Sequence, residues 1–355
     1  MPNSLRILSL IAVFMATACD DLIGPGGDGD ERPGRLILPW TDFATWAWLD
    51  GDEVLYGTRY DYPYTTRPEL RAASVASGTR TVASVTGGDD WIVPYRFAVR
   101  GAHVYFEVGV EPDHVALYRA PTDGGAAEVV LDSIPYGPAV SPDERKVAWT
   151  IPGGVVVVDI ASREQDEYAL PEWATSLVWA PDASALVAWV EGWSAAGNVY
   201  QLLDVATGTV ATWRAPAYGE QGTFEVAWDD GQPWLYVSGG GVLRHAIPTG
   251  AMEQLTGAAG NAVGWSAERN IVALTQSECT DYSDGPFGGA CLTWHTTITR
   301  IDLAGDDRRR VVDYTGGGRL FARLSPDGDW LAYEYADVSG GFGERDGVSV
   351  LRVGD

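Results

Sequence analysis

Few residues in this 355-residue chain have the type and spacing to do chemistry. The four histidines, His103, His114, His245 and His295, are scattered, and no His-Glu-x-x-His pair offers two imidazoles to zinc from one helix face. No Gly-x-Ser-x-Gly occurs, so the strained turn that exposes a hydrolase serine is not encoded, and no peptidase domain is expected here. A carboxylate pair for glycoside hydrolysis needs a defined separation that sequence does not give. No catalytic residue is assigned on these grounds. Cys279 and Cys291 have no nearby His pair to complete a zinc site. In an exported protein an isolated pair is most simply a disulfide, here closing the Gly-rich insert 280–290.

Binding chemistry is better represented. Tyr62, Trp91, Tyr136, Trp193, Tyr218 and Phe342 fall in stretches read below as loops of one face, with Asp281 among them. Such aromatics could stack on sugar rings or anchor a peptide. The competing reading is that they pack the loops against their neighbours. The acids of that face (Asp61, Asp89, Asp90, Glu191, Glu220, Asp281 and Asp284) could hold calcium, which takes six to eight oxygens. The nearest stretch to a calcium loop, Asp281-Tyr282-Ser283-Asp284-Gly285, lacks the distal Glu, so a solvated acidic rim is the default and no metal or cofactor is assigned.

The elements that must position these residues repeat. Val140-Ser141-Pro142-Asp143-Glu144 returns as Leu324-Ser325-Pro326-Asp327-Gly328 and as Trp179-Ala180-Pro181-Asp182-Ala183, each followed by a short β-rich run. Proline presets φ for the turn and the Asp carboxylate can accept from turn amides. Weaker copies begin at Trp48, Val99, Trp228 and Trp265. The spacing of about 40–45 residues, with four strands per unit, marks propeller blades. Seven anchors predict an all-β fold, a single seven-bladed β-propeller; six or eight blades would require a misread anchor. Residues 35–38 are expected to supply the outer strand that the last blade lacks, closing the ring and hiding an edge. The Trp residues at anchors (Trp48, Trp179, Trp228, Trp265) and on second strands (Trp149, Trp189, Trp234) read as core between blades.

These Ser-Pro-Asp-Gly hairpins resemble the WD-like repeats of the TolB family and of dipeptidyl peptidase IV propellers, over roughly residues 40–355. The resemblance implies the fold and little about chemistry. Seven-bladed oligogalacturonate lyases share this kind of repeat. They imply a metal-and-His site that His114, the one His clearly on the candidate face, does not reproduce.

Strand direction sorts the connections. If strands A to D run from the centre outwards, A–B and C–D turns share one face, and there the turns are tight, as at 76–79, 122–125, 141–143, 206–208 and 248–250. The B–C and D–A connections share the other face, where the loops are longer and aromatic. Function tends to sit on loops held by a rigid scaffold, so this second face is the candidate site.

The N-terminus is informative in a different way. Arg6, an apolar run over 7–16 and small residues before Cys19 predict a secretory signal peptide over 1–18, too short to span a bilayer. Cys directly after Ala16-Thr17-Ala18 resembles the bacterial lipoprotein box, which implies lipid attachment at Cys19; an ordinary signal peptide is the alternative. Asp20 resembles an enterobacterial inner-membrane retention signal, and the choice of membrane stays open. Residues 19–33 are Gly, Pro and acid, a tether spanning roughly 20 Å as a flexible coil, leaving 34–355 as the propeller. With a net charge of −25 and Lys146 the only lysine, nucleic acid and anionic headgroups are excluded as partners. Together these features predict a monomeric, lipid-anchored, extracytoplasmic propeller, in the periplasm or at the cell surface, that binds a protein or peptide without catalysis. The alternative is a carbohydrate-binding or carbohydrate-active propeller using the same loops.

Overall fold

The computed structural model describes residues 34–39, 43–58, 69–84, 91–111, 114–135, 137–190, 198–216, 223–229, 231–238, 241–266, 269–283, 290–305, 307–316, 318–337 and 345–354. They form seven four-stranded antiparallel sheets, and no helix occurs among them. The chain is a seven-bladed β-propeller. After β1 (Arg35–Pro39), blade 1 is β2 (Phe43–Asp50), β3 (Glu53–Thr58), β4 (Glu69–Ser74) and β5 (Gly78–Ser84). Blade 2 is β6 (Trp91–Arg100), β7 (His103–Glu111), β8 (His114–Pro121) and β9 (Glu128–Pro135). Blade 3 is β10 (Ala139–Val140), β11 (Lys146–Ile151), β12 (Gly154–Asp159) and β13 (Gln165–Ala169). Blade 4 is β14 (Ser176–Trp179), β15 (Ala185–Trp189), β16 (Val199–Asp204) and β17 (Val210–Arg214). Blade 5 is β18 (Thr223–Asp229), β19 (Gln232–Ser238), β20 (Val242–Ala246) and β21 (Met252–Thr256). Blade 6 is β22 (Asn261–Ser266), β23 (Ile271–Ser283), β24 (Ala290–Asp302) and β25 (Asp307–Gly316). Blade 7 is β26 (Gly318–Leu324), β27 (Trp330–Asp337) and β28 (Arg345–Arg352), completed by β1.

Each sequence anchor falls on the first strand of a different blade, and β1 pairs antiparallel with β28, from Arg35 opposite Val350 to Pro39 opposite Gly347. The hairpin motif has a physical basis. Ser141 is sealed from solvent; its hydroxyl donates to Asp143 Oδ1 at 2.6 Å and accepts the Lys146 N–H at 2.9 Å. Ser325, Asp327 and Trp330 repeat the arrangement in blade 7. A two-residue side-chain link thus satisfies the turn and the first amide of the next strand, which would otherwise be left unpaired next to the core.

The fourth residue of the motif sits in the left-handed region: Gly328 at φ 73°, Ala183 at 60° and Glu144 at 60°. An L side chain there costs about 1 kcal/mol. Glu144 uses the position to reach blade 2, where its carboxylate faces His103 Nδ1 at 2.7 Å and accepts from the Tyr105 hydroxyl at 2.8 Å. Burial and that hydrogen bond push the Tyr105 phenol up to about 12. Glu144→Ala keeps the strain and loses both contacts, and should cost about 2 kcal/mol in urea denaturation. Glu144→Gly relieves the strain and should cost about half as much. Equal losses would show that strain contributes nothing.

The core lies between blades. The cluster joining blades 3 and 4 alone contains eleven buried residues, among them Val155, Val157, Trp179, Leu186 and Leu203. Of the Trp residues expected in the core, Trp149 and Trp179 are buried, whereas Trp48, Trp189, Trp228, Trp234 and Trp265 are only half-buried. Trp46, two residues before the anchor Trp48, is the more deeply packed of the two in blade 1.

Candidate functional site

The alternation of strands puts β2–β3-type and β4–β5-type turns on one face and the intervening connections on the other. Of the residues assigned to that second face, Tyr62, Tyr136, Trp193, Tyr218 and Phe342 lie outside the described residues, as do Cys19 and the tether. Two others are on strands rather than in loops: Trp91 begins β6, and Asp281 lies in β23. His295 is in the middle of β24, and the basic run Arg308-Arg309-Arg310 belongs to β25.

The displacement of Asp281 has a structural reason. β23 and β24 are 13 residues each, longer than any other strands described, and they continue past their own sheet. β22 pairs with β23 only as far as Thr275, and β25 pairs with β24 only as far as Trp294. Beyond those points the two strands form a ribbon on the long-loop face, and residues 276–282 of it are all exposed. A two-stranded ribbon is marginal in water by itself. The Cys279–Cys291 disulfide crosses this one, with its Cα atoms 5.7 Å apart, and so removes loop entropy from the frayed state. At the ribbon's end Tyr282 is 60% exposed, beside exposed Asp281.

Where the ribbon leaves the sheet, His295 lies between two carboxylates. Its Nδ1 faces Glu278 Oε1 at 3.2 Å and its Nε2 faces Asp313 Oδ1 at 2.8 Å, while Arg310 Nη1 donates to Asp313 Oδ2 at 2.6 Å. Carboxylates only accept, so both ring nitrogens donate when the imidazole is charged. The bond to Asp313, then that to Glu278, raises the His295 pKa; bonds from His295 and Arg310 lower that of Asp313. A raised imidazole stabilises below its unfolded value of about 6.5 and loses that contribution as pH rises through the folded value. A depressed carboxylate stabilises above its unfolded value of about 3.9 and loses that contribution as pH falls through the folded value. Amide protection in β23 and β24 should therefore peak between about pH 4.5 and 6.5. In His295→Gln the decline at higher pH should disappear, and a flat wild-type profile would refute the linkage.

Among the described residues no group of His, Cys, Asp and Glu has an arrangement suited to a metal ion. Two cavities open on the opposite, tight-turn face, one between blades 1 and 2 and one between blades 5 and 6. Neither was anticipated from sequence, because each is assembled by residues from two blades whose register the sequence does not give.

No protein-family model and no curated protein sequence matches this chain. Among solved structures it is similar to a prolyl endopeptidase, with TM-score 0.56 and 15% identity over 90% of this chain. The chain spans about half the length of that relative (51%). It is also similar to Porphyromonas gingivalis dipeptidyl peptidase 4, with TM-score 0.51, 12% identity and coverage of 92% of this chain and 61% of that one. TolB from Acinetobacter baumannii matches at TM-score 0.42 and 17% identity, over 76% of this chain and 67% of that one. At these identities the likeness is one of fold, and it places the chain among the β-propellers.

Proposed function

We propose that this propeller is a non-catalytic binding module that takes a protein or peptide partner on its long-loop face. It would be held outside the cytoplasm by a lipid on Cys19, with residues 19–33 as a short leash. The observation that carries the reading is the stapled ribbon of β23 and β24. Its β22-side edge from Gln276 to Ser283 has no strand partner among the described residues, so its amides and carbonyls are available to an extended segment. Strand addition supplies main-chain hydrogen bonds, and exposed Tyr282 supplies an aromatic anchor. The acidic surface, with Glu278 and Asp281 on the ribbon, favours a partner segment bearing lysine or arginine.

A cross-linking pull-down from native-host membranes tests this, with wild type beside Tyr282→Ala/Asp281→Ala and Cys279→Ser/Cys291→Ser. A protein recovered with wild type, released by moderate salt and lost with both variants is the expected result. Recovery of the same proteins by all three would sink the assignment to the ribbon. A Trp91→Ala/Trp193→Ala version asks whether the start of β6 and the predicted loop at Trp193 contribute.

A further inference from the structure

Blade 5 turns an unusual surface towards blade 6. Where blades 3 and 4 meet over eleven buried residues, the cluster joining blades 5 and 6 has four: Val242, Val272, Leu274 and Ile301. Much of the remaining interface is a polar row, Glu225 opposite Tyr236, Tyr236 opposite Arg244 and Arg244 opposite Glu253, one residue from each strand. Directly opposed residues share a sheet face, so all four look the same way.

Arg244 is the fixed point of this row. Its Nε donates to Glu253 Oε2 at 2.8 Å, and its Nη1 donates to the Asp229 carboxylate and to the Tyr236 hydroxyl at 3.3 Å. Its Cζ lies 4.1 Å over the Trp234 ring, and Tyr236 meets Trp265 of blade 6 at 4.7 Å. Beside this network a cavity of about 430 Å³ opens between the blades. Its polar wall is Asp229, Arg244, Glu253 and Asn270; Gln254 borders it but sits opposite Leu243 on the other sheet face, and Trp265 gives the cleft a flat apolar side. The volume lies within the range of about 300–1,000 Å³ usual for small-molecule sites.

The charges decide what fits. They run negative, positive, negative, and the guanidinium is already engaged by both acids. An anion would meet two carboxylates at short range, and a cation would meet a guanidinium that it cannot displace. A neutral molecule dense in hydroxyls suffers neither repulsion, and it can donate to carboxylate and amide oxygens while accepting from amide N–H groups. An indole flank suits the apolar face of such a ring. We propose that the cleft between blades 5 and 6 binds one neutral sugar unit, free or at the end of a glycan. This site is separate from the long-loop face and does not depend on a partner there.

The cleft between blades 1 and 2 is an internal control. It occupies the equivalent place, with a volume of about 380 Å³, but has no aromatic or side-chain amide in its wall. Its Arg80 donates to Glu53 from Nε and Nη2 at 2.7 Å each.

The test is calorimetric titration of the full chain with glucose, galactose, N-acetylglucosamine and their disaccharides. Glucosamine and galacturonate serve as cationic and anionic counter-probes. The variant is Asn270→Gly; glycine keeps the backbone at the Asn270 φ of 54° while removing the amide. At least one neutral sugar should bind, with affinity reduced about tenfold or more in the variant and unchanged in Asp123→Asn at the control cleft. Tighter binding of a disaccharide than of its monosaccharide would identify the ligand as a glycan end, and equal binding as a free sugar. Absence of neutral-sugar binding at millimolar concentration, or affinity unchanged in Asn270→Gly, would overturn the proposal. Preferential binding of a charged counter-probe through the same residues would overturn it as well.

Discussion

Arg244→Ala is expected to cost about 3 kcal/mol of stability, more than any single surface ion pair would suggest. The Arg244 side chain is only 16% exposed, against 30% for Asp229 and 52% for Glu253, so the loss is smaller than for a fully buried triad. Burial opposes the charge of Arg244, but hydrogen bonds to Tyr236, Asp229 and Glu253 outweigh it, and the guanidinium holds its proton more tightly than usual. Removing it leaves two carboxylates facing one another, a buried tyrosine without its donor and a bare Trp234 ring. Arg244→Lys should recover little, because a single ammonium cannot bond two acids and stack at once. Arg244→Ala/Glu253→Ala should be more stable than Arg244→Ala alone, since it removes one of the stranded charges. Urea denaturation of the three variants measures all of this. A loss below about 0.5 kcal/mol for Arg244→Ala would mean the row is solvated decoration.

That row also marks where the sequence stops being legible. The propeller was readable because its signal is repetitive: Val140, Trp179 and Leu324 each precede the same turn, and the turn works by chemistry local to five or six residues. Ring closure was readable too, because Leu36-Ile37-Leu38 is an apolar strand without a neighbour and the last repeat is one strand short. The disulfide needed only two cysteines in a chain whose N-terminus reads as an export signal. Arg244 offers no such cue. Within Val242-Leu243-Arg244-His245-Ala246 it is one polar residue in a strand, and its partners lie 15 residues before it and 9 after it. Only strand register brings them onto one face. The ribbon was missed for the opposite reason. Gln276-Ser277-Glu278-Cys279-Thr280-Asp281 is polar apart from the disulfide cysteine, so it lacks the alternation that identifies a half-buried strand, and its residues are exposed on both faces. Composition alone therefore reads Asp281 as a loop residue. The aromatic loops themselves were identified by composition, and the geometry that would turn composition into a site is not a property of any one segment.

The largest expected effect belongs to the strand that closes the ring. Leu38 is 1% exposed on β1 and packs with Val348 and Val350 of β28 and with Trp46, Val54 and Tyr56 of blade 1, so one side chain joins the last blade to the first. Leu38→Ala should cost about 3 kcal/mol, and Leu38→Asp about 4 kcal/mol or more, because the aspartate adds an unpaired charge to a cavity. Losing β1 would also uncover the edge of β28, so the Leu38→Asp protein should self-associate through it. Gly34 sets the strand's entry: it sits at φ 82°, and a Cβ there would lie 2.6 Å from the Val350 carbonyl oxygen. Gly34→Ala should therefore weaken closure without touching the core. On the proposed lipid anchoring, the position of β1 would give these changes a functional consequence. The predicted tether ends at residue 33, so any pull from a membrane anchor would reach the propeller through β1 first. Light-scattering and thermal denaturation of Leu38→Asp should show aggregation at a Tm well below wild type. A variant that stays monomeric at wild-type Tm would show that the ring holds without its N-terminal strand.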